Sequence, residues 1–65
     1  MNISKREHEV LENISFGYTI DEIAHRLFLS PHTIVSHRKS LFEKLEATNA
    51  ALLIRRGFQT GLLQT

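Results

Sequence analysis

Three helix starts fall in the first half of the chain, at Ser4-x-x-Glu7, Thr19-x-x-Glu22 and Ser30-Pro31, and they leave room only for short helices joined by tight connections. In the first two, a hydroxyl three residues before a glutamate forms a capping box, each side chain satisfying the other residue's backbone N–H. In the third, Ser30 is an N-cap and Pro31 takes the first helical position, where its missing N–H has no intrahelical partner to lose. Val10, Leu11 and Ile14 recur at helical spacing after the first start, Ile20, Ile23, Ala24 and Leu27 after the second, and Ile34, Leu41 and Leu45 after the third. The spacing predicts helices over about residues 5–15, 20–27 and 31–44. A fourth, about 50–60, is capped by Thr48 or Asn49 and turns Ala50, Leu53, Ile54 and Phe58 to the core; Gly17 and Gly61 supply left-handed stops for the first and last helices. Nothing alternates like a strand and nothing repeats. The expected fold is all-α, a four-helix helix-turn-helix bundle without a β wing, one domain over residues 1–65.

A chain of 65 residues with no cysteine has a small core and neither a disulfide nor a thiolate metal site to reinforce it, which predicts help from a partner subunit or a parent chain. No apolar run resembles a signal peptide or reaches the length of a membrane span, so a cytoplasmic protein without membrane contact is expected. The net charge of +1 hides an uneven distribution. Between Glu22 and Glu43 there is no acid, while Arg26, Arg38 and Lys39 lie there with His25, His32 and His37, a placement that suits attraction to phosphate. Gly57, inside the fourth helix, costs about 1 kcal/mol relative to Ala and predicts a close approach by another group.

From Ser4 to Leu63 the chain resembles the LuxR-type helix-turn-helix domain, the DNA-binding output module of bacterial response regulators and quorum-sensing regulators. The resemblance is carried by Arg6-Glu7 with Val10-Leu11, by Gly17, Glu22-Ile23-Ala24, Leu27 and Ser30, and by Thr33-Ile34, His37 and Lys44-Leu45. Ile34 stands where the family more often has Val, and Asn13, Ser15 and Phe16 precede a glycine that usually follows smaller or apolar residues. The resemblance implies sequence-specific binding of double-stranded DNA in bacterial transcription regulation, by the C-terminal output domain of a larger regulator or by a stand-alone small regulator, with the third helix as the reading helix and its groove-facing positions on Val35, Ser36 and Lys39. It also implies a dimer contact on the fourth helix, where Ala51, Leu52 and Arg55 are left over once the core face is assigned, and it allows RNA polymerase as a further partner.

Residue chemistry agrees independently. With Ile34, Leu41 and Leu45 turned inward, His32, Val35, Ser36, Lys39 and Glu43 face outward. An exposed Val35 has a partner in a thymine methyl, Lys39 donates to guanine O6 or N7, and Ser36 bonds base edges or phosphate. Thr19, Ser30, His32 and Thr33 lie at helix N-termini suited to phosphate, and Arg38 and Lys44 add Coulombic attraction. Glu7 and Glu22 are explained as caps rather than paired catalytic carboxylates, so no enzyme is expected. His32 and His37, five apart, lack the i, i+4 spacing of a helical metal pair, and neither a metal nor a cofactor is expected. Two other readings stay open: a helical protein-interaction module that lacks DNA affinity, and the DNA-binding region of a sigma factor.

Overall fold

The computed structural model describes residues 2–64 and contains four helices: α1 (Lys5–Ser15), α2 (Ile20–Leu27), α3 (Pro31–Lys44) and α4 (Ala50–Gln59). Each starts where a side chain satisfies the orphan N–H groups of its first turn. Ser4 Oγ accepts from Glu7 N at 3.1 Å while Glu7 Oε1 accepts from Ser4 N at 2.9 Å, and Thr19 and Glu22 repeat the exchange at 3.2 and 2.8 Å. Ser30 Oγ accepts from Thr33 N at 3.2 Å, and Asn49, one of the two expected caps for α4, accepts from Leu52 N at 2.9 Å.

The stops divide into two kinds. Gly17 (φ 88°) follows α1 and Gly61 (φ 82°) follows α4, the left-handed positions their sequence context implies. Phe28 (φ 57°) and Glu46 (φ 53°) take the same conformation after α2 and α3 although both carry a Cβ. Leu29 N donating to Ala24 O and Ala47 N donating to Phe42 O, both at 2.9 Å, tie the chain back over these ends. At Phe28 the turn leads directly into the Ser30 cap, so the short connection and the packing on either side hold a conformation that Phe alone disfavours.

The core draws on every helix: Val10 and Leu11 from α1, Ile23 and Ala24 from α2, Ile34 and Leu41 from α3 with Leu45 beyond it, and Leu53 from α4. α3 is the central element, packed against both α1 and α2. Two expectations for α4 are corrected. Ala50 and Phe58 are exposed, Phe58 at 43%, because the helix turns Leu53 and Gly57 inward and leaves Ile54 half-buried on one flank. The missing core volume comes from the C-terminal tail, where Leu63 is 6% exposed. Gly57 makes room for it: a Cβ there would lie 2.6 Å from Leu63 Cδ1 and 3.3 Å from Leu11 Cδ2. Leu63 N donates to Gly57 O at 3.0 Å, and His8 Nε2 donates to Leu62 O at 2.7 Å, fixing the tail to α1 as well.

Candidate nucleic-acid interface

α3 is presented by a short turn and a self-sufficient cap. Ser30 Oγ and Thr33 Oγ1 lie 2.9 Å apart and share a hydrogen bond, while Pro31 brings no N–H to satisfy. No acid occupies the first turn of α3, so its positive dipole end is uncompensated. α2 differs, because Asp21 and Glu22 fill its first turn. The Glu22 carboxyl is held below its usual range chiefly by the hydrogen bonds from the Thr19 backbone and hydroxyl. Thr19 is thus engaged by its own capping box, and of the two helix openings that of α3 is the more open to an anion.

At 100° per residue, Ile34 and Leu41 define the inner face of α3, and His32, Val35, Ser36, Lys39 and Glu43 cluster on the opposite side. All five are exposed, Val35 at 39%. Thr33 and His37 are half-buried on the flank between the two faces. Arg38 is exposed but lies about 100° from Lys39, on the side that meets α2, where it lines one concavity with Thr19, Ile20, Asp21 and Phe42. Val35, Ser36 and Lys39 therefore share a face with His32, whereas Arg38 belongs with Thr19 at its edge.

Lys44 is placed differently from the sequence expectation. Its Nζ donates to Glu7 Oε1 at 2.8 Å, across 37 residues, and the ammonium is committed to α1 rather than free to attract phosphate. Burial pushes the Glu7 carboxyl up, but hydrogen bonds from Lys44, Ser40 and Ser4 outweigh it and lower its pKa to about 2. Arg26, counted with the basic residues of the acid-free stretch, is likewise occupied. Its Nε donates to Asn13 Oδ1 at 2.9 Å and its guanidinium sits 4.2 Å from the centroid of the Tyr18 ring. Asn13 is buried and donates to Glu9 O at 2.8 Å. Its position among Val10, Leu11 and Ile14 is the sequence signal for this tether, since a polar group inside an apolar stripe needs a partner.

On α4, Ala51 and Arg55 are exposed on the side that carries Phe58, while Leu52 is half-buried farther round the helix. Among the described residues no three His, Cys, Asp or Glu side chains are grouped for a metal ion, and no helix is long and apolar enough to cross a membrane.

A helix-turn-helix pair braced by two further helices is the architecture of a DNA-binding domain of a transcription regulator. The family model described as bacterial regulatory proteins of the luxR family matches residues 1–56, and the chain belongs to that family. It is 45% identical over 56 residues to the transcriptional regulatory protein UhpA of Escherichia coli (strain K12), covering 86% of this chain and 29% of that protein. It is 36% identical over 61 residues to the oxygen regulatory protein NreC of Staphylococcus carnosus (strain TM300), covering 94% and 28%. Among solved structures, the response regulator ChrA of a heme-sensing two-component system superposes with a TM-score of 0.91 at 30% identity, covering 97% of this chain and 31% of that one. The chain thus spans less than a third of the length of these relatives.

Proposed function

We propose that this domain reads a specific duplex site with α3 in the major groove, Val35, Ser36 and Lys39 meeting base edges. Ser30, His32 and Thr33 at the opening of α3 meet phosphate, and Thr19 and Arg38 flank the groove at the edge. The observation that carries this is Val35, an apolar side chain 39% exposed between polar neighbours on the outer face of a helix whose inner face is fully buried. Water gives it no partner; a thymine methyl does. Lys39 beside it supplies a donor for guanine, and phosphate contacts fix the pose while a few base contacts set preference.

The domain is the output module of a longer bacterial regulator acting in the cytoplasm, and it binds as a homodimer on half-sites about one helical turn apart. Ala51, Leu52 and Arg55 of α4 form the dimer contact, with Phe58 on the same side as Ala51 and Arg55, and RNA polymerase is the further partner through which binding affects transcription. Length supports the first statement, since the relatives carry more than two thirds of their chain outside the matched region.

The test is fluorescence anisotropy on duplexes selected from a randomised pool, at two salt concentrations, with a shuffled duplex as control. Lys39→Ala is expected to weaken binding to the selected duplex by roughly 1–3 kcal/mol and to relax preference at one position. Equal weakening on every sequence reduces Lys39 to a phosphate contact. A folded sample with neither preference nor salt dependence would point instead to a protein-interaction module.

A further inference from the structure

The outer stripe of α3 does not end as it begins. It runs from His32 beside the positive dipole end, through Ser36 and Lys39, to Glu43 in the last turn of the helix. An acid there faces the negative dipole end and is locally unfavourable. Glu43 has no compensating cation, because the ion pairs among the described residues are Arg6–Glu9, His8–Glu12 and Lys44–Glu7. Lys39, four residues before it, forms no ion pair with it. Lys44, the one base in the last turn of α3, is drawn to the other side by Glu7 at 2.8 Å. Glu46, exposed just past the helix, adds a second negative charge. An acid at the negative end of a helix with no ion pair of its own goes against the local charge rule, and such departures are expected where function rather than stability shapes the position.

We propose that Glu43 is an affinity-limiting residue for DNA: a carboxylate on the reading face that repels the phosphate strand where α3 leaves the groove. This rests on the major-groove placement of α3. Repulsion of phosphate carries no sequence information, so it weakens complexes with every duplex alike and leaves the preference set by Val35, Ser36 and Lys39 unchanged. The side chain is exposed and forms none of the ion pairs among the described residues, so its replacement is expected to leave the fold intact.

Glu43→Gln is expected to bind both the selected and the shuffled duplex about three- to sixfold more tightly, with a salt slope steeper by about one. Glu43→Lys is expected to extend both changes, and the melting temperature of each variant is not expected to fall. Parental affinity and slope in Glu43→Gln, with the parent binding in a salt-dependent way, overturn this proposal alone. So does weaker binding of Glu43→Gln confined to duplexes with cytosine at one position, which would make Glu43 an acceptor for the cytosine amino group. A parent with no salt-dependent binding overturns the groove placement and this proposal together.

Discussion

Glu7 is 4% exposed and yet ionised, because Lys44, Ser40 and Ser4 surround its carboxylate with donors. Its pKa falls from 4.5 to about 2 on folding, so its stabilisation is complete above the unfolded value and is lost as pH drops through that interval. The difference is worth on the order of 3 kcal/mol, a large part of what a domain this small possesses. Urea midpoints are expected to fall steeply between about pH 5 and about pH 2 in the parent and to flatten in Glu7→Gln; parallel curves would assign acid unfolding to other carboxylates. The cap was legible in the Ser4-x-x-Glu7 spacing. Its second partner, 37 residues away, was not, since no local pattern links the start of α1 to the end of α3. Phe28, like Glu46, carries a Cβ in the left-handed region, at φ 57°, and it is 94% exposed. Phe28→Gly removes the Cβ conflict and is expected to raise stability by about 0.5–1 kcal/mol, read as a higher melting temperature. A lower one would mean that the ring makes a stabilising contact.

At the level of elements, α3 is held from inside by Ile34, Leu41 and Leu45, the last 4% exposed. Leu45→Ala is expected to cost about 2–5 kcal/mol, enough to bring the domain near unfolding at room temperature; a parental melting curve would contradict the inward face assigned to the helix. α4 depends on a different device. Gly57→Ala must displace Leu63, whose Cδ1 would lie 2.6 Å from the new Cβ, whereas Leu63→Ala removes the obstacle. The two substitutions are therefore expected to be strongly non-additive, the double variant losing less than the sum of the singles in denaturant titrations. Additive losses would mean that the tail does not occupy the Gly57 notch. The starts of the elements follow from side chains acting within one turn, and the capping residues announced them. Two of the stops do not, because Phe28 and Glu46 take left-handed positions that neighbouring packing imposes.

Across the whole molecule, four helices and a tail share one core that no single helix assembles alone, with Val10, Leu11, Ile23, Ile34, Leu41 and Leu53 each at most 1% exposed. A ligand that binds only this folded state stabilises it by mass action, and saturating selected duplex, at about 100 times Kd, is expected to add about 2.7 kcal/mol. A thermal shift equal to that of shuffled duplex at the same concentration would show that the domain does not discriminate. The sequence by itself determined the helix count, the capped starts, the burial of the α3 inner face and the outward set of His32, Val35, Ser36, Lys39 and Glu43, because caps and helical periodicity act over a few residues. Only the tertiary structure decided that Lys44 and Arg26 are occupied, the one by Glu7 and the other by Asn13 and Tyr18, and that Arg38 lines the same concavity as Thr19. It also decided that Leu63, not Phe58, completes the core beside Gly57. Those outcomes depend on which helix faces which, and that is settled by packing between segments far apart in the chain.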